Sequence, residues 1–286
     1  LRSRLCHNLS DMTIPTIEDD FVVDKMNKIL VTGGSTGSVR RSLGILLDCG
    51  WLKEVFPELD RMARFHTTAK SKDLWDHVLQ VVENCPQDPV LRWAALFHDI
   101  GKPVCYVESD GIVSFCEHEK KGAEIWKIVA ERINAPKLWS ELIAGIIRES
   151  GSFVELKNLN TSGKLTDAAI RRYVKRVGPD LSEIFRFSMA DMTSSWYYKR
   201  DRMRQETRAL MCRIDKLVDA DKKEAARLRL PKGTGTKIMR VLGLKGKELG
   251  IVMKELQRRL ETGELGDDVV NEAILITCDF LIDDKT

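Results

Sequence analysis

His98 and Asp99 stand side by side at the end of an apolar run, Leu91-Arg92-Trp93-Ala94-Ala95-Leu96-Phe97-His98-Asp99-Ile100-Gly101-Lys102-Pro103. An imidazole and a carboxylate at the end of a buried helix cost free energy unless something compensates them. One divalent cation compensates both. The chain has five histidines, and His77, His98 and His118 follow one another at intervals of 21 and 20 residues. A cation held by such groups, with a position open to water, suits phosphoester hydrolysis. A further carboxylate has to come from a distant helix. Asp191 is the best candidate, a charge inside the apolar stretch Phe187-Ser188-Met189-Ala190-Asp191-Met192.

The elements that must position these groups read almost throughout as helices. Residues 74–82 and 90–97 have helical apolar spacing on either side of Cys85-Pro86-Gln87-Asp88-Pro89, which predicts an antiparallel pair carrying His77 and His98. Gly101 lets the second helix stop so that His98 and Asp99 face one pocket. Helices are also expected over 24–30, 39–47, 119–133, 139–148, 167–177 and 181–192, with a long charged one over 199–230. Residues 104–115 alternate like a short hairpin that turns at Ser109-Asp110-Gly111. The polar stretch 151–164 reads as a loop. Pro231-Lys232-Gly233-Thr234-Gly235 breaks the chain, and two or three helices follow between 237 and 281.

Composition bounds the rest. At 286 residues, with 43% hydrophobic and 31% charged residues, the chain can bury a substantial core. No run approaches the length of a membrane span, so no membrane role is expected. The start, Leu1-Arg2-Ser3-Arg4-Leu5, lacks the apolar segment of a signal peptide. The first Met is Met12. Seven scattered cysteines without a C-x-x-C pair suggest a reduced, cytoplasmic protein. The net charge of +3 is uneven. Residues 1–149 hold 19 Lys and Arg against 22 Asp and Glu, whereas 150–286 hold 27 against 21, so the second half could meet a polyanion.

The order His77 … His98-Asp99 … Asp191 resembles the HD phosphohydrolase superfamily. The resemblance implies an all-helical fold and one or two divalent metals. His77, His98, Asp99 and Asp191 would then be the ligands, and Lys102 would lie near the scissile phosphate. His118, at the start of the helix after the hairpin, matches a histidine that many members use to bind substrate, act as an acid or hold a second metal. The further histidine usual some thirty residues later is missing; Ile146-Ile147-Arg148-Glu149 stands there, with Glu149 as a substitute, and one metal is expected rather than two. His66 reads equally as a supporting group or a loop residue.

A narrower resemblance runs from about residue 25 to 275. Asn27-Lys28-Ile29-Leu30 and Leu43-Gly44-Ile45-Leu46-Leu47-Asp48-Cys49-Gly50-Trp51-Leu52-Lys53 resemble the neck and body of bacterial CCA-adding tRNA nucleotidyltransferases and poly(A) polymerases. Residues 91–103, 115–122 and 169–178 resemble the HD domain fused to some of those enzymes. Met239-Arg240-Val241-Leu242-Gly243-Leu244-Lys245-Gly246-Lys247 resembles their RNA-contacting tail. Gly33-Gly34 is only superficially like the phosphate loop of their catalytic head, because no strand with paired aspartates follows. The chain is therefore not expected to add nucleotides by itself; either it is a stand-alone protein without a head or the head lies upstream of Leu1.

These readings commit to an all-α fold: an HD-domain helical bundle over 65–198, a neck and body over 1–64 and a helical tail over 199–286. The expected activity is metal-dependent hydrolysis of a phosphomonoester or 2′,3′-cyclic phosphodiester with Mg, Mn, Ni or Co. The expected substrate is an RNA 3′ end, tRNA first, with a nucleotide second. Asp99, Lys102 and His118 would be catalytic. Arg92, Arg171, Arg172, Lys175, Lys245 and Lys247 would bind substrate. Arg171, Arg172, Lys175 and Arg176 share one helix face, which is either solvated or a phosphate contact. Trp196, Tyr197 and Tyr198 either stack on bases or fill core. The alternative is a non-catalytic RNA-binding fragment of a CCA-adding enzyme.

Overall fold

The computed structural model describes residues 21–66, 73–195, 199–227, 229–266 and 268–283. Trp196, Tyr197 and Tyr198, together with Leu1–Leu5 and Met12, lie outside the described residues. The fold is all-α, apart from a two-stranded antiparallel hairpin. Backbone packing divides the chain into two units, residues 1–213 and 214–286.

The first unit is built around one helix. Its elements are α1 (Phe21–Thr32), a 3-10 turn at Gly34–Thr36, α2 (Val39–Asp48), α3 (Trp51–Val55), α4 (Pro57–Ala63), α5 (Leu74–Asn84) and α6 (Pro89–Phe97). The hairpin β1 (Val107–Ser109) and β2 (Ile112–Ser114) follows, then α7 (His118–Arg132), α8 (Lys137–Thr161), α9 (Asp167–Val177), α10 (Leu181–Ser195) and the first part of α11 (Arg200–Arg227). Every residue of α6 from Leu91 to Phe97 is buried. A helix apolar on all sides must be surrounded, and α1, α5, α8 and α10 pack around it. Trp93 and Phe97 stack at 5.9 Å, with Phe56 edge-on to both and Trp126 5.0 Å from Phe97.

The entry to α5 and α6 follows from local chemistry. Asp73 caps α5 by accepting from the amides of Trp75 and Asp76. Asp88 caps α6 through the Leu91 amide, with Pro89 at the first helical position. The hairpin turns at Asp110 and Gly111, both left-handed, as its sequence predicts.

One expectation fails in this unit. Residues 151–164 are not a loop: α8 runs unbroken to Thr161. Phe153 and Leu156 continue the buried stripe of Ile143, Ile146 and Ile147, while Glu155, Asn158 and Thr161 are exposed and Lys157 is buried against Glu206. Arg92, expected to bind substrate, is engaged within the fold. Its side chain is buried, and its guanidinium donates to the carbonyls of Pro86 (3.0 Å), Cys85 (3.1 Å) and Leu30. It therefore satisfies the carbonyls that α1 and the α5–α6 connection leave over. Beside it, Trp93 Nε1 donates to Asn27 Oδ1 at 2.7 Å.

The second unit holds the end of α11 with α12 (Thr234–Leu242), α13 (Gly246–Thr262) and α14 (Val269–Asp283). Its core is small: Ile238, Val252, Leu256, Ala273 and Ile276, fringed by Leu242, Leu249 and Met253. Arg259 joins α13 to α14 by donating to Glu272 at 2.8 Å.

Candidate metal centre

Three helices of the first unit bring four side chains to one place. His77 comes from the middle of α5, His98 and Asp99 from the end of α6, and Asp191 from α10. Helices α5 and α10 are tied by Asn84 Nδ2 donating to Ser194 Oγ at 2.7 Å, and α6 and α10 by Arg186 donating to Asp88 at 3.2 Å. His77 Nε2 lies 3.3 Å from His98 Nε2 and 3.3 Å from Asp191 Oδ1. Asp99 Oδ2 lies 3.3 Å from His98 Nε2 and 3.8 Å from His77 Nε2.

This spacing fits a cation. Donors about 2.1 Å from one ion stand roughly 3.0–3.4 Å apart in tetrahedral or octahedral arrangements. The ligating atoms of His77, His98 and Asp191 all fall within 4.8 Å of one another. The tautomer fits too. His98 Nδ1 lies 2.8 Å from the carbonyl of Ala95, one turn back. Donating there turns Nε2 toward the cluster.

The electrostatics agree. Burial alone would raise the Asp99 carboxyl. The charges of His98 and Lys102, with hydrogen bonds from His118 and His98, outweigh it and hold Asp99 well below the usual carboxylate range. Burial likewise opposes ionisation of Asp191, and the His77 hydrogen bond with the charges of His98 and His77 overcomes it. Both groups are thus held as carboxylates, the form that ligates a cation.

Two further residues join the cluster. Lys102 Nζ is 2.6 Å from Asp99 Oδ2. His118 Nε2 is 3.5 Å from Asp99 Oδ1, and its Nδ1 is 2.8 Å from the Phe115 carbonyl. Gly101 makes this approach feasible: a Cβ there would stand 2.1 Å from the carbonyl oxygen of His118 and 2.9 Å from the amide nitrogen of Gly122. Glu149 does not join; it is buried and accepts from Arg176 at 2.8 Å. His66 is exposed, beyond the end of α4.

The remaining expected residues lie elsewhere. Arg171, Arg172, Lys175 and Arg176 lie on the outer side of α9, all four exposed. Lys245 and Lys247 are exposed at the start of α13, in the second unit. Sequence reading missed Glu119, whose carboxylate lies 3.2 Å from His118 Nδ1. Its place next to His118 is visible in the sequence, but the residue that seats it, Gly151, falls in a stretch that reads as a loop.

A helical bundle that gathers two imidazoles and two carboxylates in the order His, His-Asp, Asp defines a class of metal-dependent phosphohydrolases. Residues 74–217, half of the chain, match the HD domain family, and the chain belongs to it. It is also similar to proteins described as Multifunctional CCA protein. That of Azoarcus sp. (strain BH72) is 30% identical over 141 residues, covering 46% of this chain and 33% of that protein. Those of Acidovorax sp. (strain JS42) and Cupriavidus metallidurans are 29% and 26% identical over 167 residues, covering 55% of this chain. The matches span about a third of the length of these curated relatives. Among the described residues no helix is long and apolar enough to cross a membrane.

Proposed function

We propose that the chain is a metal-dependent phosphohydrolase acting on a phosphomonoester or 2′,3′-cyclic phosphodiester at an RNA 3′ end, with tRNA as the first substrate and a nucleotide as the second. The observation that carries this reading is the convergence of His77, His98 and Asp191 at ligand spacing, with Asp99 3.3 Å from His98. These four side chains would hold a divalent cation such as Mg, Mn, Ni or Co. Such an ion, when bound, polarises a phosphoryl oxygen and lowers the pKa of a coordinated water. Asp99 orients the attacking water. Lys102, already against Asp99, offsets charge on the phosphoryl oxygens. His118 faces the same pocket from α7. The tRNA side of the proposal rests on the CCA-protein relatives and on the basic Arg171, Arg172, Lys175, Lys245 and Lys247. In domain terms it takes 1–64 as neck and body, 65–198 as the hydrolase and 199–286 as the tail. A cytoplasmic setting suits the free thiols of the described cysteines.

One observation favours a second reading. Lys102 lies closer to Asp99 than either neighbouring imidazole does, and an ammonium satisfies that carboxylate without a cation. The pocket would then be a structural ion network inside a non-catalytic RNA-binding fragment. The test is metal content together with hydrolysis of p-nitrophenyl phosphate, bis-p-nitrophenyl phosphate and a 2′,3′-cyclic RNA end, with each of the four metals. The proposal expects bound metal and hydrolysis, both lost in Asp99→Ala and Asp191→Ala with helical circular dichroism retained. A purified chain that neither retains metal nor hydrolyses any of the three supports the second reading.

A further inference from the structure

Three glycines in the first unit, Gly33, Gly101 and Gly151, sit where a side chain would collide, and Gly151 lies outside everything the proposed chemistry uses. It stands in the interior of α8, where glycine is unfavourable relative to alanine. A Cβ there would stand 2.2 Å from Glu119 Oε1 and 3.1 Å from Glu119 Cδ, with Glu119 Cγ the next atom at 3.6 Å. The missing Cβ therefore makes room for one carboxylate. That carboxylate has Oε2 3.2 Å from His118 Nδ1, and the opposite ring nitrogen of His118 faces Asp99. His118 sits just past Glu117, whose φ of 59° is unusual for a residue with a side chain. The carbonyl of Phe115 also meets the ring at Nδ1.

We propose that Glu119, seated over Gly151, is a positioning residue for His118. It accepts from Nδ1–H and so fixes the ring with Nε2 turned toward the pocket, in the way that carboxylate partners orient imidazoles. This rests on reading the His77–Asp191 pocket as the active site. The space that seats the carboxylate is the one a Cβ at position 151 would fill. The clash is with the far end of a flexible side chain, so Gly151→Ala displaces the carboxylate while the helix is kept or strengthened.

The test reads the ring nitrogens of His118 in metal-free, 15N-labelled protein, through long-range correlation to its carbon-bound ring protons. The spectra are taken at a pH where the ring is neutral, with assignment by His118→Gln. Glu119→Ala and Gly151→Ala are each expected to shift the Nδ1 signal in the same direction, and the double variant no further than either alone. That non-additivity marks two changes acting through one interaction. Gly151→Ala is expected to melt no lower than wild type. Glu119→Gln serves in place of Glu119→Ala if the latter does not fold. An unmoved Nδ1 signal in Gly151→Ala, or shifts that add in the double variant, would overturn the proposal. In a chain that hydrolyses phosphoesters, both variants are expected to lower kcat about 10–100-fold, and an unchanged kcat would also overturn it. A chain without hydrolytic activity still reports through the nitrogen signal, so failure of the enzyme reading and failure of this one are distinguishable.

Discussion

An imidazole offers a pocket only one lone pair at a time, and whatever its other nitrogen touches decides which. For His98 that partner is a backbone carbonyl fixed by the helix itself. The His-Asp pair is legible in the sequence because two polar ligands inside an apolar run have few other uses. Burial can also silence a group. Cys85 is buried and its thiol is pushed up to about 12 by desolvation, only partly offset by Arg92. Thiolate is the reactive form. Brief treatment of the native protein with iodoacetamide near neutral pH is therefore expected to label the exposed Cys49, Cys116, Cys212 and Cys278 and to spare Cys85 until denaturant is added. Peptide mass spectrometry reads the outcome, and early labelling of Cys85 would contradict the packing around it. Arg92 shows the limit of single-residue reasoning. A guanidinium that binds phosphate and one that satisfies buried carbonyls look alike in sequence; only the fold shows that its acceptors lie 6, 7 and 62 residues away.

Helix α4 supplies none of the pocket side chains, yet it holds α7, which carries His118. Arg132 on α7 donates to both oxygens of Glu58 on α4, at 2.7 and 2.9 Å. Burial would raise the Glu58 carboxyl, but donation by Arg132 and its charge bring it below the ordinary 4.5. A carboxyl lowered in the folded state stabilises above its unfolded value, and that contribution is lost as pH falls through the folded one. Glu58→Gln is expected to lower the urea midpoint at neutral pH and to match wild type once Glu58 is protonated in both states. An equal deficit at both pH values would mean that altered packing, not charge, explains the effect. The aromatic centre stabilises the unit more than this ion pair does. Phe97 is fully buried among Phe56, Trp93 and Trp126. Phe97→Ala is expected to cost about 3–5 kcal/mol in denaturant unfolding. Helices α5, α6 and α9 are readable because caps and apolar spacing agree. The second half of α8 is not, because Gly151 and a run of polar residues imitate a loop while Phe153 and Leu156 keep the buried stripe.

Across the whole molecule, basic residues fall on both units: Arg172 and Lys175 on α9, Lys245 and Lys247 at the start of α13. If they grip RNA, Arg172→Ala combined with Lys245→Ala is expected to flatten the plot of log affinity against log salt. The slope should fall by about 0.7 for each single-strand phosphate that the variant no longer neutralises. Filter binding of a tRNA across a salt series measures it, and an unchanged slope would remove these residues from the interface. Charge imbalance along the chain is legible in the sequence; which lysines and arginines are already engaged is not, as Arg176 on Glu149 shows. The guanidinium of Arg92 has a consequence for where this protein can be cut. The segment matching the family begins at residue 74, yet Arg92 holds the Leu30 carbonyl, Trp93 holds Asn27 and Phe56 sits against both Trp93 and Phe97. A fragment excised at 74 would strand a buried cation without part of its acceptors, which is strongly destabilising. Residues 74–217 expressed alone should be insoluble or molten, while residues 21–213 should unfold cooperatively, because kinship marks out a shorter stretch of chain than folding requires.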